Sequence, residues 1–194
     1  KEVSEDEGEV IMCFTSYPTF RHDLYQDYKA NRKSRRKPLA LKGVMDALTN
    51  RYKCVRYDNL EGDDVLGILA TSKELDDPII VSPDKDMRTI PCKLLAGDDL
   101  ELITRRQADR NWMVMALTGD MTDNYKGITG VGTVTANKIL GDSKTLEEMW
   151  DIVVKEYEKK SGGHKEALLT ARLARILRAE DYNNKTGKVK LWKP

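Results

Sequence analysis

The sequence has 194 residues, which is enough for one large domain or for a domain with a helical annex. Charged residues make up 34% of it and hydrophobic residues 40%, while the formal net charge is only +1, so a packed core beneath a highly charged surface is expected. No apolar run approaches the roughly 20 residues of a membrane-spanning helix, and no signal peptide is visible, which argues against a membrane protein and predicts a cytoplasmic one.

Three cysteines are scattered along the chain, at Cys13, Cys54 and Cys92. Their odd number and the absence of a CxxC motif argue against a disulfide framework and against a structural zinc site. We therefore expect buried thiols in a reducing compartment.

The first part of the chain alternates strands and helices. The apolar runs "VIMCF" and "PIIVS" are typical of strands buried on both faces, and "KCVRY" is a shorter strand between them. Helical patterning covers residues 22–50, and "EGDDVLGILATSKEL" has apolar residues at helical spacing. Two short strands, "KLLAG" and "LELIT", follow. This order predicts an α/β fold with a parallel sheet over residues 1–118.

The remainder, residues 119–194, is predicted to be helical. The helix "QADRNWMVMALTG" ends at Gly119, because glycine is a strong stop signal. A glycine-rich turn follows, and residues 133–140, 144–160 and 165–181 then have helical patterns. The basic tail "KTGKVKLWKP" is expected to be loosely held.

Acidic residues are concentrated at the ends of three of these elements. In open α/β sheets, sites lie outside the carboxyl ends of the strands, so we expect these carboxylates to converge there. Clustered carboxylates repel one another unless cations lie between them, and oxygen-only donors favour Mg²⁺ or Mn²⁺. Two such ions can clamp the attacking and leaving oxygens of a phosphodiester. The predicted ligands are Glu61, Asp63, Asp64, Asp84, Asp86, Asp120 and Asp123.

Each acidic group alone also has a structural interpretation. The acids of "EGDD" are suited to cap a helix, and those of "SPDKD" are ordinary turn formers. The segment "GDMTD" is equally typical of a glycine stop followed by an Asp N-cap. The conjunction of all three groups favours the metal site over these alternatives.

Positive charge is concentrated in "YKANRKSRRK", which contains no acid. Such a block suits a phosphate backbone, whereas a solvated helix face is the alternative. Tyr28 has the ring needed to stack on a base, and Arg21 lies shortly before it. The predicted nucleic-acid contacts from this part of the chain are Arg21, Tyr28, Lys29, Arg32, Arg35, Arg36 and Lys37.

The segment "GITGVGTVTANKI" is typical of a helix-hairpin-helix. Its glycines allow a phosphate to approach the backbone, and the amides at the start of the next helix can donate to that phosphate. Such contacts position a strand without reading its sequence. The predicted contacts are Gly127, Gly130, Gly132, Thr133, Thr135 and Lys138.

Four segments in this order resemble the 5′ nuclease family of flap endonucleases and 5′→3′ exonucleases, most closely those of phages. "FRHDLYQDYKANR" resembles the family's "FR…YKxxR" segment, and "EGDDVLGILA" resembles its "EADD" helix. "SPDKDM" resembles the "SxDxD" strand end, and "GDMTDNYKGITGVGTVTA" resembles the signature "GDxxDNIPGVxGIGxKTA".

The resemblance implies a parallel-sheet core of the PIN-like or resolvase-like type, a helical arch over about residues 22–45 and a helix-hairpin-helix in the C-terminal region. It implies DNA hydrolysis by two-metal-ion catalysis, with 5′-phosphate products. Lys29 and Arg32 would be catalytic cations at the scissile phosphate, and Tyr28 would stack near the terminal nucleotide. The hairpin would bind duplex DNA and carry a monovalent cation such as K⁺.

The implied partner is DNA with a 5′ end or a 5′ flap, with an RNA–DNA hybrid open as a second substrate. We expect a monomer in a bacterial cytoplasm or a phage-infected cell. Alternatives are a non-catalytic duplex-DNA-binding module, an α/β nuclease acting on RNA and the nuclease domain of a larger polymerase. The first predicts DNA affinity that is insensitive to Mg²⁺.

The sequence departs from the family at two places. The family begins with an apolar strand that carries an Asp ligand, and nothing before Val10 supplies one. We infer that this segment is absent from the chain. Thr15 and Ser16 stand where the family has a further Asp. We therefore expect weak or no activity from the chain as given, and full activity from its full-length parent.

Overall fold

The structure, a computed structural model, describes residues 8–32, 36, 38–160 and 162–194. Its first part contains strands β1 (Ile11–Cys13), β2 (Lys53–Val55), β3 (Ile79–Val81), β4 (Lys93–Ala96) and β5 (Asp99–Leu102). The helices of this part are α1 (Phe20–Leu24), α2 (Leu41–Arg51), α3 (Gly62–Thr71) and α4 (Arg105–Thr118). Short 3-10 helices cover Ala30–Arg32 and Lys85–Thr89.

The second part contains two short hairpins and three helices. Strands β6 (Gly119–Asp120) and β7 (Tyr125–Lys126) form the first hairpin, and β8 (Tyr182–Asn183) and β9 (Lys188–Val189) form the second. Between them lie α5 (Thr133–Leu140), α6 (Leu146–Lys160) and α7 (Gly163–Ala174), followed by a 3-10 helix at Ala179–Asp181. The predicted α/β fold is confirmed, and the predicted division at residue 118 stays a prediction.

The strands β1 to β5 of the first part form two sheets. One pairs β1 with β2 in parallel, and the other has the order β3-β4-β5, in which β3 and β4 are parallel and β5 is antiparallel. Helix α3 contacts both β1 and β3. The N-terminus of α3 lies beside the carboxyl end of β1, since the Gly62 N–H donates to the Thr15 hydroxyl over 2.9 Å.

The strand β3 is buried on one face only, which differs from the prediction. Ile80 and its register partner Leu94 lie in a cluster with Ile90 and Ile103. Val81, one residue along, points to the opposite face and is exposed. Alternation along a strand places neighbours on opposite faces, so a continuous apolar run alone does not distinguish one-sided from two-sided burial.

The helical core lies between α4, α6 and α7. The indole N–H of Trp112 donates to the Ala171 carbonyl over 2.8 Å, and the hydroxyl of Tyr157 donates to the Ala116 carbonyl over 2.7 Å. These buried polar groups are therefore satisfied inside the core, as desolvation requires. No helix in the described ranges is long and apolar enough to cross a membrane.

Two sequence-based predictions about the C-terminal part are wrong. The helix predicted over residues 165–181 ends at Ala174, and the next residues are extended. The tail is not loosely held, since the ring of Trp192 lies 4.8 Å from that of Trp112 and 4.9 Å from that of Trp150. The Lys190 N–H also donates to the Asp181 carbonyl over 2.7 Å. Aromatic packing from distant helices fixes this basic segment.

Candidate functional site

Three acidic segments meet at one edge of the α/β part. The hydroxyl of Tyr28 donates to Glu61 over 3.1 Å and to Asp123 over 2.9 Å, so one phenol joins the start of α3 to the turn after β6. Asp63 lies close enough to Asp84 for the two charges to interact. The carboxylates predicted to converge are therefore neighbours in space.

Local hydrogen bonds hold the acids in their turns. Glu61 is the N-cap of α3, and its N–H donates to Asp64 over 3.1 Å. The Asp84 carboxylate accepts from the Asp86 N–H over 2.9 Å at the start of a 3-10 helix. Asp120 accepts from the Thr122 N–H over 2.6 Å. The capping and turn-forming roles are real, and they coexist with convergence at one site.

Two cations neutralise part of this cluster. The ammonium of Lys29 lies 2.6 Å from Glu61 and 3.4 Å from Asp123. The guanidinium of Arg32 lies 2.5 Å from the other oxygen of Asp123. Lys29 also has a positive φ of 54°, a sparsely populated conformation for a residue with a side chain, and its N–H donates to the Asp123 carbonyl over 2.9 Å.

The electrostatics divide the acids into two groups. Burial, and then the charges of Glu61, Asp64 and Asp84, together raise the pKa of Asp63 to about 6. Burial and Asp84, then Asp120 and Asp123, likewise raise the pKa of Asp86 to about 6. Burial also opposes ionisation of Glu61, but Arg21 and Lys29 outweigh it and lower the pKa of that carboxyl. Cations thus compensate the charge of Glu61, whereas the charges of Asp63 and Asp86 are left uncompensated.

The uncompensated group fits a hard divalent cation. All of its donors are carboxylate oxygens whose mutual repulsion a cation would relieve. Among residues 8–32, 36, 38–160 and 162–194, no three His, Cys, Asp or Glu side chains lie close enough together to coordinate one metal ion. Glu61 and Asp123 are instead turned toward Lys29, Tyr28 and Arg32.

The structure does not fit the predicted roles of three residues, two nucleic-acid contacts and one metal ligand. Tyr28 is only 2% exposed, so its ring is not available to stack on a base. Arg21 is also 2% exposed and binds Asp64 through both terminal nitrogens, so it does not contact nucleic acid. Asp64 is fully buried and saturated by protein donors, which removes it from the metal ligands.

The turn that follows β6 and β7 has the predicted glycines in three different environments. A Cβ on Gly127 would lie 2.3 Å from the Leu117 carbonyl oxygen, so this glycine serves close backbone packing rather than phosphate approach. Gly130 has a φ of +79°, and Gly132, the N-cap of α5, faces open space. Thr133, Thr135 and Lys138 are exposed on α5. The helix-hairpin-helix role stays a prediction.

The basic segment is only partly described. Arg36 is exposed, whereas Arg35 and Lys37 lie outside the described residues. The arch predicted over residues 22–45 includes the end of α1, the 3-10 helix Ala30–Arg32 and the start of α2, and it too stays a prediction. At Thr15, the hydroxyl accepts from the Gly62 N–H over 2.9 Å, so a neutral side chain stands at the start of α3.

Sequence reasoning missed several residues that organise the site. The side-chain amide of Asn31 donates to the carbonyl of Met121, and that of Asn124 donates to the carbonyl of Asp27. The Leu177 N–H donates to Asp64 over 3.0 Å. Backbone groups and asparagines that act across the fold leave no pattern in the sequence that could have revealed them.

The fold and the site together define a resolvase-like α/β protein with a carboxylate cluster beside two cations. A family model described as the 5′-3′ exonuclease N-terminal resolvase-like domain matches residues 1–121, and the chain belongs to this family.

An exodeoxyribonuclease of Enterobacteria phage T3 is 30% identical over 95% of the chain and 73% of its own length. The flap endonuclease Xni of a Shewanella strain is 30% identical over 81% of the chain and 68% of its own length. The T5 5′-exonuclease with bound zinc superposes with a TM-score of 0.62 at 16% identity, covering 86% of the chain and 73% of that structure. At this identity the superposition supports the shared fold alone.

Proposed function

We propose that the protein is a structure-selective 5′→3′ exonuclease or flap endonuclease that hydrolyses DNA with two Mg²⁺ (or Mn²⁺) ions and leaves 5′-phosphate products. One observation carries the proposal. Carboxylates from three distant segments meet beside Lys29, which bridges Glu61 and Asp123. The T3 and Shewanella relatives, an exodeoxyribonuclease and a flap endonuclease, support DNA as the substrate.

The carboxylates of the cluster that form no salt bridge with a Lys or Arg in the described part of the chain are the proposed inner ligands. The ions would be held by Asp63, Asp84, Asp86 and Asp120. Glu61 and Asp123 would join them when Lys29 and Arg32 leave these two carboxylates for the phosphate. When bound, divalent ions supply the positive charge that polarises a phosphodiester and activates water. The structure of the T5 relative with zinc supports a divalent metal in this fold.

The chain's own cations have a defined task in this scheme. Lys29 and Arg32 lie at the edge of the acidic cluster and are held by carboxylates that the metal ions would also attract. Released from them, both side chains would bind the scissile phosphate and stabilise its developing negative charge. Tyr28, buried beneath, would keep Glu61 and Asp123 oriented.

The exposed start of α5 is the proposed binding site for the DNA backbone. Its amides, with Thr133, Thr135 and Lys138, would bind phosphates of the duplex. The resemblance extends this proposal to a monovalent cation such as K⁺ on the hairpin carbonyls. An RNA–DNA hybrid is a second substrate to test, and we propose that the enzyme acts as a monomer in the cytoplasm of a bacterial or phage-infected cell.

The test is a cleavage assay on 5′-labelled duplex and flap substrates, with enzyme in excess so that weak activity is measured. We expect Mg²⁺-dependent products that carry a 5′-phosphate, and loss of cleavage on Asp84→Ala. DNA affinity that ignores Mg²⁺, together with no cleavage by wild type or variant, would instead favour the non-catalytic DNA-binding module.

A further inference from the structure

The end of α7 reaches back to the start of the chain's first helix. The Nε–H of Arg21 donates to the Leu173 carbonyl over 3.0 Å, and an Nη2–H donates to the Arg175 carbonyl over 2.6 Å. Both carbonyls lie where α7 ends, so they have no helical partner of their own. A buried guanidinium therefore caps this helix while its remaining donors point elsewhere.

The remaining donors of Arg21 bind the acids of α3. Its two terminal nitrogens lie 2.6 Å and 2.8 Å from the two oxygens of Asp64, and Nη1 lies 3.5 Å from Glu61. The planar fork of arginine fixes all of these directions at once, which an ammonium cannot do. One side chain thus ties the residues after α7 to the carboxylates of the site.

Asp64 transmits this contact to Glu61. One oxygen of Asp64 accepts from Arg21 and from the Leu177 N–H, and the other accepts from Arg21 and from the Glu61 N–H. These four bonds use the acceptor capacity of the carboxylate. Glu61, held at its backbone by Asp64 and at its side chain by Arg21, is thereby aimed at Lys29.

We propose that Arg21 is a positioning residue of the nuclease site, and that the segment Leu173–Leu177 supports the site because its backbone holds Arg21 and Asp64 in place. The inference rests on the proposed function. Asp64 acts in the same unit as Arg21, and neither touches the substrate. The segment lies beyond residue 121, where the match to the family model ends.

The test compares Arg21→Lys with Arg172→Lys. Arg172 is the control because it lies on α7, one residue before Leu173, and its Nε–H also donates to a backbone carbonyl, that of Trp192 over 3.0 Å, away from the acidic cluster. Both variants are expected to lower the melting temperature. Mn²⁺ binding by calorimetry and single-substrate kinetics are measured below both melting temperatures.

We expect Arg21→Lys to weaken Mn²⁺ binding about tenfold and to lower kcat by about 10–100-fold, with KM for duplex DNA within about twofold of wild type. Arg172→Lys should leave all three values within about twofold of wild type. Equal behaviour of the two variants, or wild-type Mn²⁺ affinity in Arg21→Lys, would overturn the positioning role.

A second variant covers the case in which Arg21→Lys does not fold. Asp64→Asn keeps the shape of the side chain but removes an acceptor from Arg21 and Glu61, and it should lower Mn²⁺ affinity and kcat in the same way. Because the two residues act as one unit, the double variant should be no worse than the worse single variant, and additive losses would contradict this. Absence of cleavage by the full-length parent would overturn the nuclease proposal, whereas Mn²⁺ calorimetry on the chain needs no cleavage and still decides the positioning role.

Discussion

The ammonium of Lys29 lies 2.6 Å from Oε1 of Glu61, and the same nitrogen lies 3.4 Å from Oδ2 of Asp123. One cation thus bridges carboxylates that belong to the start of α3 and to the turn between β6 and β7. Divalent ions and Lys29 are attracted to the same oxygens, so the side chain and the metal compete for them. This competition makes the effect of removing Lys29 depend on what is measured.

Lys29→Ala is expected to bind Mn²⁺ more tightly and to cleave more slowly. Loss of one positive charge beside the carboxylates should raise Mn²⁺ affinity by about fivefold, since an interaction of about 1 kcal/mol is typical at this distance in a solvated site. Loss of the phosphate-binding cation should lower kcat by about 100-fold. Calorimetry and single-turnover cleavage measure the two effects separately.

Lys159→Ala is the control for this change, because Lys159 is 65% exposed near the end of α6 and forms a surface pair with Glu156. Such pairs contribute little, so Mn²⁺ affinity and cleavage should match wild type. A Lys29→Ala variant with unchanged kcat would contradict the catalytic role of this lysine.

The carboxyl groups of Asp63 and Asp86 predict a pH dependence of stability without metal. Burial raises the pKa of each in the folded state to about 6 from the ordinary 3.8, so folding favours their protonated forms. The folded state therefore loses stability from these groups as pH rises from about 4 to about 6, and it stays less stable above that range.

Asp63→Asn/Asp86→Asn should consequently melt about 2 °C or more above wild type at pH 7.5 in EDTA. This advantage should shrink as the pH falls below 6 and vanish near pH 4. Thermal melts at several pH values measure this difference in melting temperature. A difference that is constant with pH would show that folding does not raise the pKa of the two carboxyls.

Mg²⁺ should raise the melting temperature of the wild-type protein. A ligand that binds only the folded state stabilises it by about 2.7 kcal/mol at a concentration 100 times its Kd. Asp84→Asn/Asp86→Asn should lose most of this increase, whereas Asp98→Asn, an exposed change in the turn between β4 and β5, should keep it. Equal increases in all three proteins would indicate that Mg²⁺ binds elsewhere.

The glycines near α5 separate folding from DNA binding. Gly132→Ala should fold as well as wild type, because its φ is −95° and no atom lies within 4 Å of the added Cβ. If the start of α5 approaches a phosphate, the new methyl group should weaken duplex binding by about tenfold, equivalent to about 1.4 kcal/mol. Fluorescence anisotropy with labelled duplex measures the affinity, and an affinity equal to that of wild type would contradict DNA binding by the start of α5.

Gly127→Ala should instead lower the free energy of unfolding by about 2 kcal/mol or more, because its Cβ would overlap the backbone of Leu117 at 2.3 Å. Gly130→Ala should lower it by only about 1–2 kcal/mol, through the left-handed backbone at a φ of +79°. Chemical denaturation distinguishes the two, and the reverse order would be incompatible with the backbone packing described for the hairpin.

Local signals in the sequence were sufficient to predict most elements and the acidic site. The apolar run before Asp84 predicts a strand whose end points its acids to the site, and Gly119 predicts the end of α4. These features depend on neighbours in the chain, so a short window contains the needed information. For the same reason, the two short strands predicted at "KLLAG" and "LELIT" are present, with bounds at Lys93–Ala96 and Asp99–Leu102.

Contacts between distant segments could not be predicted in this way. Tyr28 begins a basic stretch and Arg21 lies shortly before it, which suggests exposure, yet contacts with Asp123 and with the end of α7 bury them. The run after Ala174 has a helical pattern, but its extended backbone lets Arg175 bind Asp181 and Leu177 bind Asp64. Tertiary contacts override local helix preference at such positions.

The bond between Arg21 and Leu173 joins residues that are 152 positions apart. Closing so long a loop costs chain entropy before the contact can stabilise the fold. We therefore expect contacts of this kind to form late in folding. During refolding from denaturant, helical circular dichroism should therefore return before Glu61 is oriented. Metal binding should recover together with completion of the α7 cap.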